Sequence, residues 1–480
     1  MKKTLLFIAV LTVLAVRAPA RSTAPEAKLD ALLSSRAPAA GTFGVVVVAA
    51  KDGEVLYRRD ALAPRIPAST MKLVTTGASF VALGDEAELV TRALAAAKPK
   101  PGGALEGDLV ILGGGDPALD VARDGSETGK IDHLARAVSR AGVARIRGDL
   151  VLDDSRFDRE FRAPGWPSDQ LTRSYCAPVS ALTVGRGCLT VVVHPGDAPG
   201  AAGRISLVPA ARFLTVKNRV TTTAKKSEHR IHVSLPLDSK TVTVSGKVWT
   251  KSTGFPAEVT APDPTLLFGE ALRNRLAAYG VALGGGVVLR PGAAKALGEP
   301  VEIASVTSRL TDLVHVTNQE SQNLYADCLF KNLGFLLKGE GTFASGGKAT
   351  AAFAAKLGFP EGHVVQVDGS GLSRENRVTP WFLAKLLSHL YVREDWNEFV
   401  RSLPHGGQSG TSLRRRMKDL GRNVFAKTGT IRGVSGLAGY VRAKSGKVLT
   451  FAVLVNDRRW TASKSRGLQD AVCRIIFEGY

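Results

Sequence analysis

The sequence predicts an α/β domain that is interrupted by a large β-rich insertion. Three observations lead there. Strand patterns stand near both ends of the chain and enclose a helical middle, so one sheet must be closed by two distant segments. Between residues 88 and 263 helical periodicity gives way to short strands separated by Gly, Asp and Pro turns. The chain has 480 residues, and a single core rarely grows past about 250–300, so more than one domain is expected.

Residues 1–20 read as a signal peptide. Lys2 and Lys3 form a positive start, Leu5 to Val16 is an apolar stretch too short to span a bilayer, and Ala18-Pro19-Ala20 fits a small-x-small cleavage pattern. Val16-Arg17-Ala18 fits it as well. Residues 21–87 form the first part of the α/β domain. After a polar stretch, Thr42 to Ala50 is a nearly continuous apolar run. Lys51-Asp52-Gly53 turns the chain back into Glu54 to Arg58, a hairpin by the Asp-Gly rule. Pro64 and Pro67 then break the chain. A helix over 69–83 follows, with Leu73, Val74, Ala78, Val81 and Ala82 at helical spacing and Gly84 as its stop.

The insertion, 88–263, contains strands at 107–112, 148–152, 204–208, 231–235 and 241–248, with one helix over 134–141. It reads as two subdomains. Helical patterns resume in the last part, 264–480, at 266–279, 310–337, 344–357 and 380–392. Strands at 437–443 and 447–456, joined by a turn at Lys444-Ser445-Gly446, precede a final helix from Ser463.

The formal charge is +21, and losing the leader with its Lys2, Lys3 and Arg17 brings it to +18. Such a chain is drawn towards polyanions. Its basic residues are scattered and no aromatic-interleaved RNA motif appears, which argues against nucleic acid and for anionic wall polymers. Cys176 and Cys188, twelve residues apart in a Pro- and Gly-rich segment, read either as a local disulfide or as two buried thiols. Cys328 and Cys473 read as core thiols.

Three short motifs carry chemistry. Ser69-Thr70-Met71-Lys72 is S-x-x-K at the start of an apolar helix, where peptide N–H groups favour negative charge. Ser69 and Lys72 lie one turn apart on one face. A partly desolvated Lys there can act as the base that makes the hydroxyl nucleophilic. A second S-x-x-K, Ser345 to Lys348, lacks that setting. Ser321-Gln322-Asn323 places a hydroxyl and an amide on one side of a loop, the first to relay a proton and the second to hold a carbonyl. Lys427-Thr428-Gly429-Thr430 lies in a strand over 424–430. Lys427 supplies a cation for a carboxylate and Thr428 a hydroxyl, while Gly429 permits close backbone approach. Lys444-Ser445-Gly446 has the same form but reads as a hairpin turn.

The order S-x-x-K, S-x-N, K-T-G resembles the penicillin-recognising serine enzymes. More narrowly, the chain resembles the class C penicillin-binding D-Ala-D-Ala carboxypeptidases with a large insertion. The supporting runs are Gly114-Gly115-Asp116-Pro117, Ala163 to Pro167, Tyr175 to Leu182, Asp368 to Arg374 and Gly433 to Tyr440. The fold implied is a penicillin-binding/β-lactamase-like transpeptidase domain, an antiparallel sheet flanked by helices. The activity implied is D-Ala-D-Ala carboxypeptidase and endopeptidase action on peptidoglycan peptides in the periplasm, with covalent capture of β-lactams. No metal, cofactor, nucleic acid or lasting membrane anchor is implied.

By the same resemblance Ser69 is the nucleophile, Lys72 its base, Ser321 the relay to the leaving group and Asn323 the substrate-positioning amide. Lys427 and Thr428 bind the terminal carboxylate or support the proton network, and the N–H groups of Ser69 and Thr430 form the oxyanion hole. Arg374 is expected to meet the carboxylate of a diaminopimelate side chain. The acidic residue expected to meet its ammonium is displaced: Gln170 stands at the aligned position and Asp169 beside it, so Asp169 is the candidate. Arg432 replaces an uncharged residue and adds a second cation. Two other readings share some of these features. A β-lactamase is disfavoured by the insertion and would release a penicilloyl group quickly. A non-catalytic wall-binding protein is disfavoured by three intact motifs.

Overall fold

The computed structural model describes residues 24–120 and 129–480; the expected signal peptide lies outside the described residues. The central sheet is antiparallel throughout. Its order is Val424–Ile431, Val434–Arg442, Val448–Asn456, Phe43–Ala49, Val55–Arg59, so strands from the two ends of the chain are neighbours. The unbroken apolar run Val45 to Val48 is explained by cover on both faces. Val46 and Val48 pack with Leu73, Phe80 and Leu386 from helices on one side. Val45 and Val47 pack with Leu29, Val472 and Ile476 on the other. Leu29 belongs to helix Ala24–Arg36, read from sequence as part of a polar stretch, which lies against the last helix, Ala462–Gly479.

The chain leaves this domain after helix Lys72–Leu83 and builds a second five-stranded sheet. Its order is Val287–Leu289, Leu150–Asp153, Leu109–Leu112, Glu88–Ala95, Val301–Arg309. The pairings of 109–112 with 150–153 and of 150–153 with 287–289 are parallel. Helix Pro264–Ala278, with its buried Phe268, Leu272 and Leu276, packs in the same core as Leu134, Leu150 and Leu152. The 264–309 segment, assigned from sequence to the last part of the chain, therefore shares sheet and core with the insertion. Besides a small sheet of two-residue strands in the order Ala282–Leu283, Arg145–Ile146, Ala104–Leu105, two longer three-stranded sheets complete that module. One orders Phe255–Thr260, Cys188–His194, Arg204–Val208, the other Thr215–Thr223, Thr241–Trp249, Arg230–Ser234. Cys176 and Cys188 are both buried thiols and form no disulfide with each other.

Return to the first domain comes at Leu310. The expected single helix over 310–337 is two, Leu310–Gln319 and Asn323–Lys338. Between them Ser321 takes φ 58°, the left-handed region, which stops the first helix. The Gln322 side chain accepts from Leu324 N–H at 3.0 Å and caps the second. The 444–446 segment is a hairpin turn with Gly446 at φ 85°, and Ser345 forms a capping box with Thr342. Both motif look-alikes thus have ordinary structural duties.

Candidate active site

The S-x-x-K motif straddles two helical geometries. Ala68–Met71 is a turn of 3-10 helix, and Lys72 opens the α-helix behind it. Ala68 stands at φ 49°, directly before Ser69. Lys72 is fully buried, and its Nζ donates to Ser69 Oγ at 3.2 Å, Asn323 Oδ1 at 2.7 Å and the Ser370 carbonyl at 2.7 Å. Three acceptors saturate an ammonium and fix its position. Burial lowers its pKa to about 8, against the pull of Asp327 and Asp368, which favour the charged form.

The other two motifs meet this pair from opposite walls. Lys427 is also fully buried; its Nζ donates to Ser321 Oγ at 2.8 Å and to the Thr428 carbonyl at 3.0 Å. Burial, and then Lys72, push its pKa well below the ordinary lysine value. Asn323 Nδ2 donates to the Tyr175 carbonyl of the insertion at 2.8 Å. An amide nitrogen has two hydrogens, so one remains for a substrate carbonyl. Thr428 Oγ1 donates to Ser412 Oγ at 2.8 Å on the outer side of the strand. The strand Val424–Ile431 lies against the Ala68–Met71 turn. A Cβ on Gly429 would stand 2.6 Å from Pro67 O, 2.9 Å from Ser69 N and 2.8 Å from Thr70 N. The glycine therefore admits the backbone of the Ser69 turn, where the sequence reading assigned it to substrate approach.

Sequence reasoning missed the layer beneath. Asp327 lies one helical turn beyond Asn323 and is fully buried; its Oδ1 accepts from the N–H groups of Gly369 and Ser370 at 2.7 and 2.9 Å. Burial, and then Asp368, raise its pKa well above the carboxylate range. Asp368 accepts from Gly371 N–H, Ser373 N–H, Asn376 Nδ2 and Trp166 Nε1 at 2.7 to 2.9 Å. Two carboxylates thus hold the 368–373 loop, whose Ser370 carbonyl holds Lys72. Asp327 had one available signal, an acidic residue at i+4 from Asn323 inside an apolar helix.

A cavity of about 480 Å3 opens over Ser69, lined also by Tyr175, Asn323, Arg374, Thr430 and Arg432. Arg374 donates to the Arg432 carbonyl, and burial together with Arg458 and Arg432 lowers its pKa. The 3-10 turn Ser168–Gln170 sends Gln170 to the cavity wall. Asp169 does not line it: the side chain is exposed and sits 3.5 Å from the Gln170 amide. Consecutive residues of a 3-10 turn point about 120° apart, so the two cannot share a direction.

A hydroxyl held by a buried lysine, with a second buried lysine on a second hydroxyl across the cleft, defines a serine acyl-transfer hydrolase on a penicillin-binding/β-lactamase-like fold. The chain belongs to the D-Ala-D-Ala carboxypeptidase 3 (S13) family, whose model matches residues 26–476. It is 32% identical over 472 residues to a D-alanyl-D-alanine carboxypeptidase of Actinomadura sp. (strain R39), covering 96% of this chain and 85% of that one. The D-alanyl-D-alanine carboxypeptidase DacB of Haemophilus influenzae is 26% identical over 431 residues, covering 88% and 87%. The crystal structure of penicillin binding protein 4 from H. influenzae superposes with a TM-score of 0.74 at 24% identity, covering 93% of this chain and 97% of that one. The protein is thus a serine-type D-Ala-D-Ala carboxypeptidase. Among the described residues no helix is long and apolar enough to cross a membrane.

Proposed function

We propose that the enzyme hydrolyses peptidoglycan stem peptides beyond the cytoplasmic membrane, both at a terminal D-Ala-D-Ala bond and at D-Ala cross-links, through an acyl-enzyme on Ser69. The observation that carries this is the Ser69–Lys72–Asn323 cluster facing Ser321–Lys427 across one cleft. Neutral Lys72 takes the Ser69 proton as Oγ attacks the carbonyl of the penultimate D-alanine. The oxyanion lies between the N–H groups of Ser69 and Thr430, each such donor being worth about 3 kcal/mol. The C–N bond breaks as Ser321 passes a proton to the leaving amine and takes in its place the one that Lys72 carries, which leaves Lys72 neutral for the next step, with Lys427 behind Ser321. The incoming terminal carboxylate favours the charged form of Lys427, which burial otherwise disfavours. Water then attacks the ester, and the proton returns to Ser69 through Lys72. β-Lactams enter the same route; a β-lactam complex is described for the H. influenzae protein.

Purified protein on defined muropeptides, with products weighed by mass spectrometry, tests this reading. Release of D-alanine and splitting of cross-linked dimers are expected, with neither product from Ser69→Ala. A fluorescent penicillin should label wild type and Ser345→Ala equally and leave Ser69→Ala unlabelled. Equal labelling of Ser69→Ala would overturn the assignment, and rapid turnover of penicillin without muropeptide cleavage would turn it to the β-lactamase reading.

A further inference from the structure

The proposed reaction uses none of the residues from 204 to 251, yet this segment carries ten Lys and Arg against two acidic residues. The strand register shows where part of that charge goes. In the sheet Thr215–Thr223, Thr241–Trp249, Arg230–Ser234, the inner face is apolar: Val220, Val242, Val244 and Val248 are buried, and Ile231 and Val233 pack on the same core. On the other face the pairing produces a three-by-three grid. Lys217 lies beside Thr243 and Ser234, Arg219 beside Ser245 and His232, and Thr221 beside Lys247 and Arg230. Each row holds at least one basic side chain with hydroxyls next to it, and none of the nine is apolar.

This arrangement costs stability. Arg230 and Lys247 are directly opposite in an antiparallel pair, where like charges destabilise. Only Lys247 is relieved, by Glu228 at 2.8 Å; Lys217, Arg219 and Arg230 form no ion pair among the described residues. Residues two apart on a strand are about 7 Å apart and neighbouring strands about 4.8 Å, so each cation has its nearest basic neighbour within about one Debye length. An anionic polymer neutralises such a lattice better than a single small ion does. The grid has no apolar wedge for a bilayer; its one ring is the His232 imidazole, and Trp249, one row beyond, is already covered by Lys226, so no row of rings is offered to successive bases. The next strand along the chain, Phe255–Thr260, belongs to the neighbouring sheet, packs against Arg230–Ser234 and brings Glu258 to a cavity shared with Ser321 and Asn323.

We propose that this sheet face is a docking plate for the carboxylate-bearing peptidoglycan polymer itself, holding the enzyme on its substrate through many weak charge contacts. The inference rests on the proposed substrate class, but its test is separate from catalysis. Full-length processed protein carrying Ser69→Ala is co-sedimented with purified sacculi freed of other polymers, at 50 and 500 mM salt. Adding Lys217→Ser, Arg219→Ser and Arg230→Ser should weaken binding about tenfold or more at low salt, with the difference gone at high salt. In the Ser69 background the same triple change should leave penicillin labelling and hydrolysis of small soluble muropeptides within about twofold of wild type, which also shows that it folds. A charge-matched control, Arg36→Ser, Lys464→Ser and Arg466→Ser on the outer helices, should keep most of the binding. Equal loss in the control would assign the effect to net charge and overturn the plate. Binding to anionic phospholipid vesicles or to single-stranded polynucleotide in preference to sacculi would overturn the choice of occupant. Failure to cut muropeptides with sacculus binding intact would instead strike the proposed function.

Discussion

Gly371 tests whether the loop beneath the site sets the position of the nucleophile. It stands at φ 80°, and a Cβ there would overlap the Ala68 carbonyl oxygen and lie 2.6 Å from its carbon. Restoring an ordinary carbon–carbon separation of about 3.4 Å requires a shift of at least about 0.8 Å at the residue preceding Ser69, and relief of the oxygen requires more. The opposite partner, Gly371, is tied by its own N–H to Asp368 at 2.7 Å, so much of that shift falls on Ala68. A misplacement of about 1 Å at a reacting atom costs roughly a hundredfold. Gly371→Ala should therefore lose about thirty- to a hundredfold in the second-order rate of penicillin acylation, measured by stopped-flow with a fluorescent penicillin. Gly358→Ala is the control. Its φ of 81° imposes the same backbone penalty, but nothing lies within 4 Å of the added carbon. It should lose about 1 kcal/mol of stability and keep its acylation rate. Acylation of Gly371→Ala within threefold of wild type, or an equal rate loss in Gly358→Ala, would refute the claim that this loop positions Ser69.

The acylation rate of wild type should rise with pH through about 8, because only the neutral form of Lys72 accepts a proton and its pKa is lowered to that value. A pH–rate profile of penicillin acylation checks this, and a flat profile between 6 and 9 would remove Lys72 from the role of base. Arg374→Ala should lose about ten- to a hundredfold in kcat/KM on peptides with a diaminopimelate side chain and little on a dipeptide without one. An equal loss on both would make Arg374 a support of the cleft wall. Asp169→Ala, by contrast, should leave both substrates within about twofold, since the side chain points away from the cavity; a selective loss on the diaminopimelate peptide would contradict that placement.

Much of this site was legible before any coordinates. Helical spacing around Leu73 and Val74 and the Asp-Gly turn at residue 52 report local physics, and the structure keeps both. The motif triad was legible because reactive side chains must converge, whatever lies between them. Other features are tertiary. Helix Ala24–Arg36 buries little more than Leu29 and Leu33, too narrow a stripe to stand out from its polar neighbours. Strand Val301–Arg309 alternates buried and exposed residues like any surface strand, and nothing local says that its partner is Glu88–Ala95, some two hundred residues earlier. The same holds for Asp327 and Asp368. A buried carboxylate is explained only by its donors, and these come from loops far along the chain. Gln170 and Asp169 show the limit at one residue: the register of a single 3-10 turn decides which of two neighbours meets the cavity.

Strand Phe43–Ala49 finds its partner at Val448–Asn456, and Lys72 finds its acceptors at Asn323 and Ser370. During synthesis at about 5–20 residues per second, the first strand and the nucleophile helix wait tens of seconds for these partners. A chain in that interval has Ser69 and Lys72 but no Asn323 or Ser370 to hold the lysine, no strand Val424–Ile431 beside the serine and no cover for Val45 to Val48. Activity is thereby delayed until nearly the whole polypeptide is present. The enzyme comes into being only when its last strands close the sheet.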